Sequence, residues 1–142
     1  MPLRERDLAG PVVGHFEALG FTVFGEVGIA GRWADLVALG PEEIVAVELK
    51  LRAWRDALRQ ATAYQLAADR AYVAMPLGRV QEVWGRRQAF EREGIGLLAV
   101  DSGTRVRDAM PASASPRLFP PLRAALRARL TAALEVHPLS CR

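Results

Sequence analysis

The chain has 142 residues, 51% of them hydrophobic and 25% charged, with a formal net charge of +3. This length supports one hydrophobic core without disulfide or metal staples, and the balance excludes a disordered or collagen-like chain. A single cysteine, Cys141, excludes an internal disulfide framework, and the small positive charge permits an acidic partner without demanding one.

In chain order, the opening MPLRERDLAG is charged and has no apolar signal core, and no apolar run reaches the roughly 18–20 residues of a membrane span, so a cytoplasmic protein is expected. Leu8, Val12, Val13, Phe16 and Leu19 recur at helical spacing and predict a helix over Leu3 to Leu19, kinked or restarted at Gly10-Pro11. FTVFGEV (Phe21 to Val27) reads as a strand, GIAGR as a turn, and WADLVAL (Trp33 to Leu39) as a second strand closed by Gly40-Pro41. Ile44 to Leu51 is the third. A helix over Ala53 to Ala68 follows, then a strand at Ala71 to Met75, a helix over Arg79 to Glu93 and a strand over Gly94 to Asp101. Residues 1–110 are expected to form the core domain and 111–117, containing PASASP, a linker. A leucine-ridged amphipathic helix over 118–136 would pack on that core or on a partner. The order of elements predicts an α/β fold, with a mixed central sheet flanked by helices and an extra C-terminal helix.

The third strand contains an interruption. Of nineteen basic residues, eighteen are arginine, and the one lysine is Lys50 in VAVELKLR. Residues two apart on a strand share a face, so Glu48 and Lys50 project together. Asp35 breaks the apolar run of the preceding strand and lies on the opposite limb of the hairpin. Singly, a Glu-x-Lys pair reads as a solvated edge and an Asp as a turn residue. Together, flanked by Ala, Val and Leu, they would be costly unless paired or bound to a cation.

Asp35 followed by Glu48-Leu49-Lys50 resembles the PD-(D/E)XK nuclease motif of restriction-endonuclease-like folds, with Ala34-Asp35 in place of Pro-Asp. The likeness covers about the first hundred residues. Gln60 and Tyr64 are similar to the Q-x-x-x-Y element of RecB-like members, and Glu5 to Val12 and Gly20 to Val27 are similar to segments of bacterial PD-(D/E)XK-like proteins. The resemblance implies a Mg2+-dependent nuclease (Mn2+ as substitute), a phosphodiesterase acting on DNA. Asp35, Glu48 and the carbonyl of Leu49 would hold the metal, Glu5 is the leading additional ligand, and Glu26 and then Glu17 come after it. Lys50 would orient the attacking water and offset developing charge, and Gln60 would assist. The alternatives are a non-catalytic nucleic-acid-binding or protein-interaction module, or a nuclease subunit that needs a partner. A homodimer built on the last helix is a further expectation.

Other features read more plainly. Arg52, Arg55 and Arg59 form a stripe turned away from the core, read as a solvated face with phosphate contact second. Arg123, Arg127 and Arg129 read as a solvated rim beside the leucine ridge, with contact to nucleic acid or a partner second. His15 and His137 have no second ligand at metal spacing, and both read as structural.

Overall fold

The computed structural model of the chain describes residues 3–102 and 104–136. The alternation that begins at Thr22 continues past Val27, so β1 (Thr22–Ile29) is longer than the strand predicted. Ala30 and Gly31 then reverse the chain with φ of +52° and +77°, a pair of left-handed residues whose twist suits a two-residue hairpin. β2 (Arg32–Leu39) and β3 (Ile44–Leu49) complete an antiparallel meander. α2 (Trp54–Tyr64) crosses over to β4 (Arg70–Pro76), which lies parallel to β3. α3 (Leu77–Val83), a 3-10 turn (Trp84–Arg86) and α4 (Arg87–Glu93) lead to the parallel strand β5 (Gly96–Val100).

The single helix predicted over Arg79 to Glu93 is therefore two helices. Gly85 lies in the 3-10 turn that separates them, and glycine in a helix interior costs about 1 kcal/mol relative to alanine. Likewise the first helix is a 3-10 turn (Glu5–Leu8) followed by α1 (Ala9–Ala18), with Pro11 in the first α turn, where its missing N–H leaves no bond unmade. Leu19, expected on the apolar face, is 62% exposed because it falls beyond the last turn.

Sheet order is β1-β2-β3-β4-β5-β6, with the antiparallel edge strand β6 (Val106–Met110) added beyond β5. This is the α/β architecture expected: a mixed sheet flanked by helices with a further C-terminal helix, α5 (Pro120–Val136). On one face, Leu8, Val12 and Phe16 pack on Leu36, Val45, Val47, Tyr72 and Leu98. Val37, Ala46, Val73 and Leu97 point to the other face, where Ala61, Phe90, Leu126 and Leu130 from α2, α4 and α5 cover them. No helix among the described residues is long and apolar enough to cross a membrane.

The leucine ridge of α5 is thus spent on the chain's own core, Leu126 and Leu130 being buried, and Leu122 is left partly outside. Leu126 and Leu130 of that ridge therefore face the domain's own core. The arginines of α5 are occupied too. Arg123 donates to Asp69 and to the Glu42 carbonyl, Arg127 to the Gly40 carbonyl and Arg129 to the Gly28 carbonyl. The segment expected as a linker is a strap held to the domain. Ser113 N–H donates to the Gly94 carbonyl, and Ser115 donates through N–H to Asp69 O and through its hydroxyl to Ala68 O. His137 and Cys141 lie outside the described residues.

Asp69 joins the start of β3 to α5. One carboxylate oxygen accepts the Ile44 N–H at 2.7 Å and the other accepts Arg123 Nε at 2.8 Å. Asp69→Ala removes both acceptors and is expected to lower the unfolding free energy by about 2–3 kcal/mol, because hydrogen bonds involving a charged group are the stronger kind. Urea unfolding measures it, and a loss below about 0.5 kcal/mol would mean that water replaces the carboxylate.

Candidate functional site

The ladder between β2 and β3 ends at Leu36↔Val47. One step further, Asp35 and Glu48 stand opposite each other on the face that carries α2. Past that point a side chain replaces the backbone acceptor: the Leu49 N–H donates to Asp35 Oδ2 at 2.8 Å. In an extended strand the N–H and C=O of one residue point to the same side. The Leu49 carbonyl therefore faces the edge where Asp35 lies.

Glu48 is only 4% exposed, one of two buried polar residues among the described residues. Burial raises its carboxyl to about 7, with the neighbouring Asp35 adding to the rise while a hydrogen bond from Tyr64 and the charge of Lys50 oppose it. Asp35 is half-buried and is also raised, first by burial and further by the charge of Glu5. The Leu49 N–H, contact with Glu48 and Lys50 act against that rise. Two carboxyl groups in contact, both driven toward the neutral form, need either a shared proton or a cation.

Tyr64 supports the pair from α2. Its Oη lies 2.7 Å from Glu48 Oε1 and 2.9 Å from the Trp33 carbonyl oxygen. A phenol has one proton to give. With Glu48 ionised, that proton goes to the carboxylate; with Glu48 protonated, Glu48 donates to the phenol oxygen and the Tyr64 proton is released to Trp33. Burial and the adjacent carboxylates raise the phenol's own pKa, so it stays a donor at every accessible pH. Gln60 is half-buried one turn away, its Oε1 3.5 Å from Tyr64 Oη. It borders the carboxylate pair without touching it. Tyr64→Phe removes the group that orients Glu48, and metal affinity is expected to fall about tenfold, as loss of a partner that orients a ligand typically does. Calorimetric titration with Mg2+ tests this, and unchanged affinity would make Tyr64 a packing residue only.

Lys50 lies just beyond the end of β3, where its N–H donates to the Ala74 carbonyl at 3.0 Å. Its side chain is half-buried and forms no ion pair with a described residue, although its charge acts on both carboxyl groups. Glu5, in the 3-10 turn ahead of α1, is exposed and near enough to act electrostatically on Asp35. Among the described residues no three His, Cys, Asp or Glu side chains are grouped to hold a metal. The donor set actually assembled is Asp35, Glu48 and the Leu49 carbonyl, all hard oxygens, which suits Mg2+ with water completing its shell.

The two other acids singled out from the sequence are both exposed. Glu26 is exposed at φ +53° opposite Asp35 on β1, between the Gly25↔Leu36 and Val27↔Ala34 pairs. Glu17 is exposed near the end of α1. His15 packs edge-on against Phe16 with ring centroids 5.1 Å apart. The sequence pattern missed the link from Tyr64 to Glu48. Its only available signal was the four-residue spacing from Gln60 to Tyr64, which places both on one side of α2. Comparison of the chain with protein families, curated proteins and solved structures finds no match in any of the three.

Proposed function

We propose that the protein is a Mg2+-dependent nuclease that hydrolyses phosphodiester bonds in DNA, built on a restriction-endonuclease-like core of the PD-(D/E)XK kind. The observation that carries this reading is the contact between the half-buried Asp35 and the buried Glu48 carboxyl groups at the open end of a hairpin, beside a lysine that forms no ion pair with a described residue. Asp35, Glu48 and the Leu49 carbonyl would hold the ion. A bound Mg2+ supplies Lewis acidity toward the phosphate. Tyr64 holds Glu48 in place and keeps one of its oxygens committed. The Leu49 N–H does the same for Asp35. Lys50 forms no ion pair with a described residue and would be available to an incoming phosphate or water, where a compact ammonium offsets the charge that develops in the transition state. Gln60 borders the cleft and would position a phosphate oxygen or water.

The test is cleavage of linear, circular, single-stranded and branched DNA, and of RNA, with Mg2+ or Mn2+. Cleavage by the wild type that chelation or Asp35→Ala abolishes supports the reading. A wild type that binds metal yet cuts none of these would remove the enzyme acting alone and leave a binding module or a subunit that needs a partner.

A further inference from the structure

The arginine stripe of α2 does not face open solvent along its whole length. α2 and α4 leave a cleft of about 490 Å3 between them, open to solvent, into which Trp54, Arg55 and Arg59 project from one side and Arg86, Gln88 and Arg92 from the other. Trp54 forms its floor, packed on the buried Phe90 with ring centroids 5.6 Å apart. No aspartate or glutamate lines the cleft. Of its four arginines, Arg59 pairs with Asp56 on its own helix, and Arg55 lies over the Trp54 ring with its guanidinium carbon 4.4 Å from the centroid. Arg86 and Arg92 are exposed and form no ion pair or hydrogen bond with a described residue. Charged arginines in a surface helix are ordinarily offset by acids three or four residues away, as Arg79 is by Glu82 and Arg87 by Glu91. Here Arg55, Arg86 and Arg92 converge with no ion pair to a described residue, and Arg59 alone is offset, by Asp56.

We propose that this cleft is a second nucleic-acid contact, a site for the phosphodiester backbone separate from the carboxylate pair. A concave surface of one charge sign focuses the field and raises the local concentration of a polyanion. Guanidinium forks match phosphate oxygens with two parallel donors, and the aromatic floor adds a face on which a sugar or base can rest. The cleft is open and its charges are spread over α2, α4 and the 3-10 turn before α4. That arrangement suits a chain of spaced phosphates better than one compact anion. α2 then has two working sides, with Gln60 and Tyr64 toward Glu48 and with Trp54, Arg55 and Arg59 toward the cleft. The contact requires no catalysis by Asp35 or Glu48.

The experiment measures binding by fluorescence anisotropy, with EDTA present and a labelled DNA about 30 nucleotides long in single-stranded and duplex form. Arg86→Gln/Arg92→Gln is compared with Arg105→Gln/Arg107→Gln, which removes the same charge from exposed positions around β6. The cleft variant is expected to bind at least about tenfold more weakly near 0.1 M salt and to lower the salt slope by about 1.5–2, while the control changes little. Arg86→Lys/Arg92→Lys, which keeps the charge, should retain most of the affinity and guards against loss through misfolding. Equal weakening by both glutamine variants would reduce the effect to net charge and overturn the proposal. So would unchanged binding by the cleft variant, absence of DNA binding by the wild type, or displacement of DNA by an equal concentration of inorganic pyrophosphate. Because cleavage is not read, failure here leaves the nuclease reading standing, and failure of cleavage leaves this site standing.

Discussion

Replacing Lys50 with alanine is expected to abolish cleavage, a fall of about 100- to 1000-fold or more, while the fold and the affinities for Mg2+ and nucleic acid stay close to those of the wild type. The reason lies in where the ammonium group stands. The backbone of Lys50 is fixed by the Ala74 carbonyl, and its charge reaches Asp35 and Glu48 without pairing with either. A lysine acting as a plain neutraliser of two buried carboxylates would contact them. One held back from contact keeps its donors for an arriving group, and an interaction made only in the transition state costs rate without ground-state affinity. Lys50→Arg keeps the charge but places a planar fork where a point charge is needed, so it should recover little activity. The measurements are single-turnover cleavage beside thermal unfolding with and without Mg2+. If Lys50→Ala instead unfolds more easily by roughly 3–5 kcal/mol, and Mg2+ reverses that loss, then Lys50 serves the fold and not the reaction.

The metal-free protein is expected to lose stability as pH rises from about 5 to about 8, with Mg2+ restoring it mainly at the upper end. Glu48 has an ordinary value of 4.5 and sits at about 7 in the folded protein. Its proton is therefore bound more tightly in the folded state. That contribution is fully present below 4.5 and fades as pH climbs through 7, and it is on the order of 3 kcal/mol for a shift of this size. Asp35 is displaced in the same direction and adds to the effect. A cation that takes the proton's place stabilises the ionised pair, so the gain in melting temperature from Mg2+ should be larger at about pH 8 than at about pH 5. Thermal melts in EDTA and in excess Mg2+ at the two pH values decide it. A flat profile in EDTA, or equal gains at both pH values, would show that the two carboxyl groups are not coupled to an ion.

The sequence located the carboxylate pair because two short-range rules sufficed. Strand parity put Glu48 on one face, and a hairpin closed at Gly40-Pro41 carried Asp35 to its side. What escaped depends on contacts between distant segments. β6 was not anticipated because VRDAM is an edge strand with Arg107 and Asp108 exposed, and it carries no apolar alternation to betray it. The strap at 111–117 reads as a linker by composition, yet its hydroxyl and backbone bonds to Ala68, Asp69 and Gly94 hold it in place. Tyr64 could be placed on the correct side of α2, but its choice of Glu48 over Lys50 depends on sub-ångström placement that periodicity does not carry. The basic cleft is divided between α2 on one side and α4 with its preceding 3-10 turn on the other, and neither half is unusual alone.

The arginines of α5 reach back across most of the chain to the carbonyls of Gly28, Gly40 and Glu42 and so bracket the hairpin that carries Asp35. During synthesis, Asp35, Glu48 and Tyr64 emerge well before Arg123, Arg127 and Arg129 exist. At roughly 5–20 residues per second that interval is on the order of ten seconds. For that time the acidic pair belongs to a meander whose outer rim is not yet fastened, and the strands near it can still breathe. The hairpin that carries Asp35 is thus fastened last, by side chains up to 101 positions further along the chain, and its rim is completed only when the final helix docks.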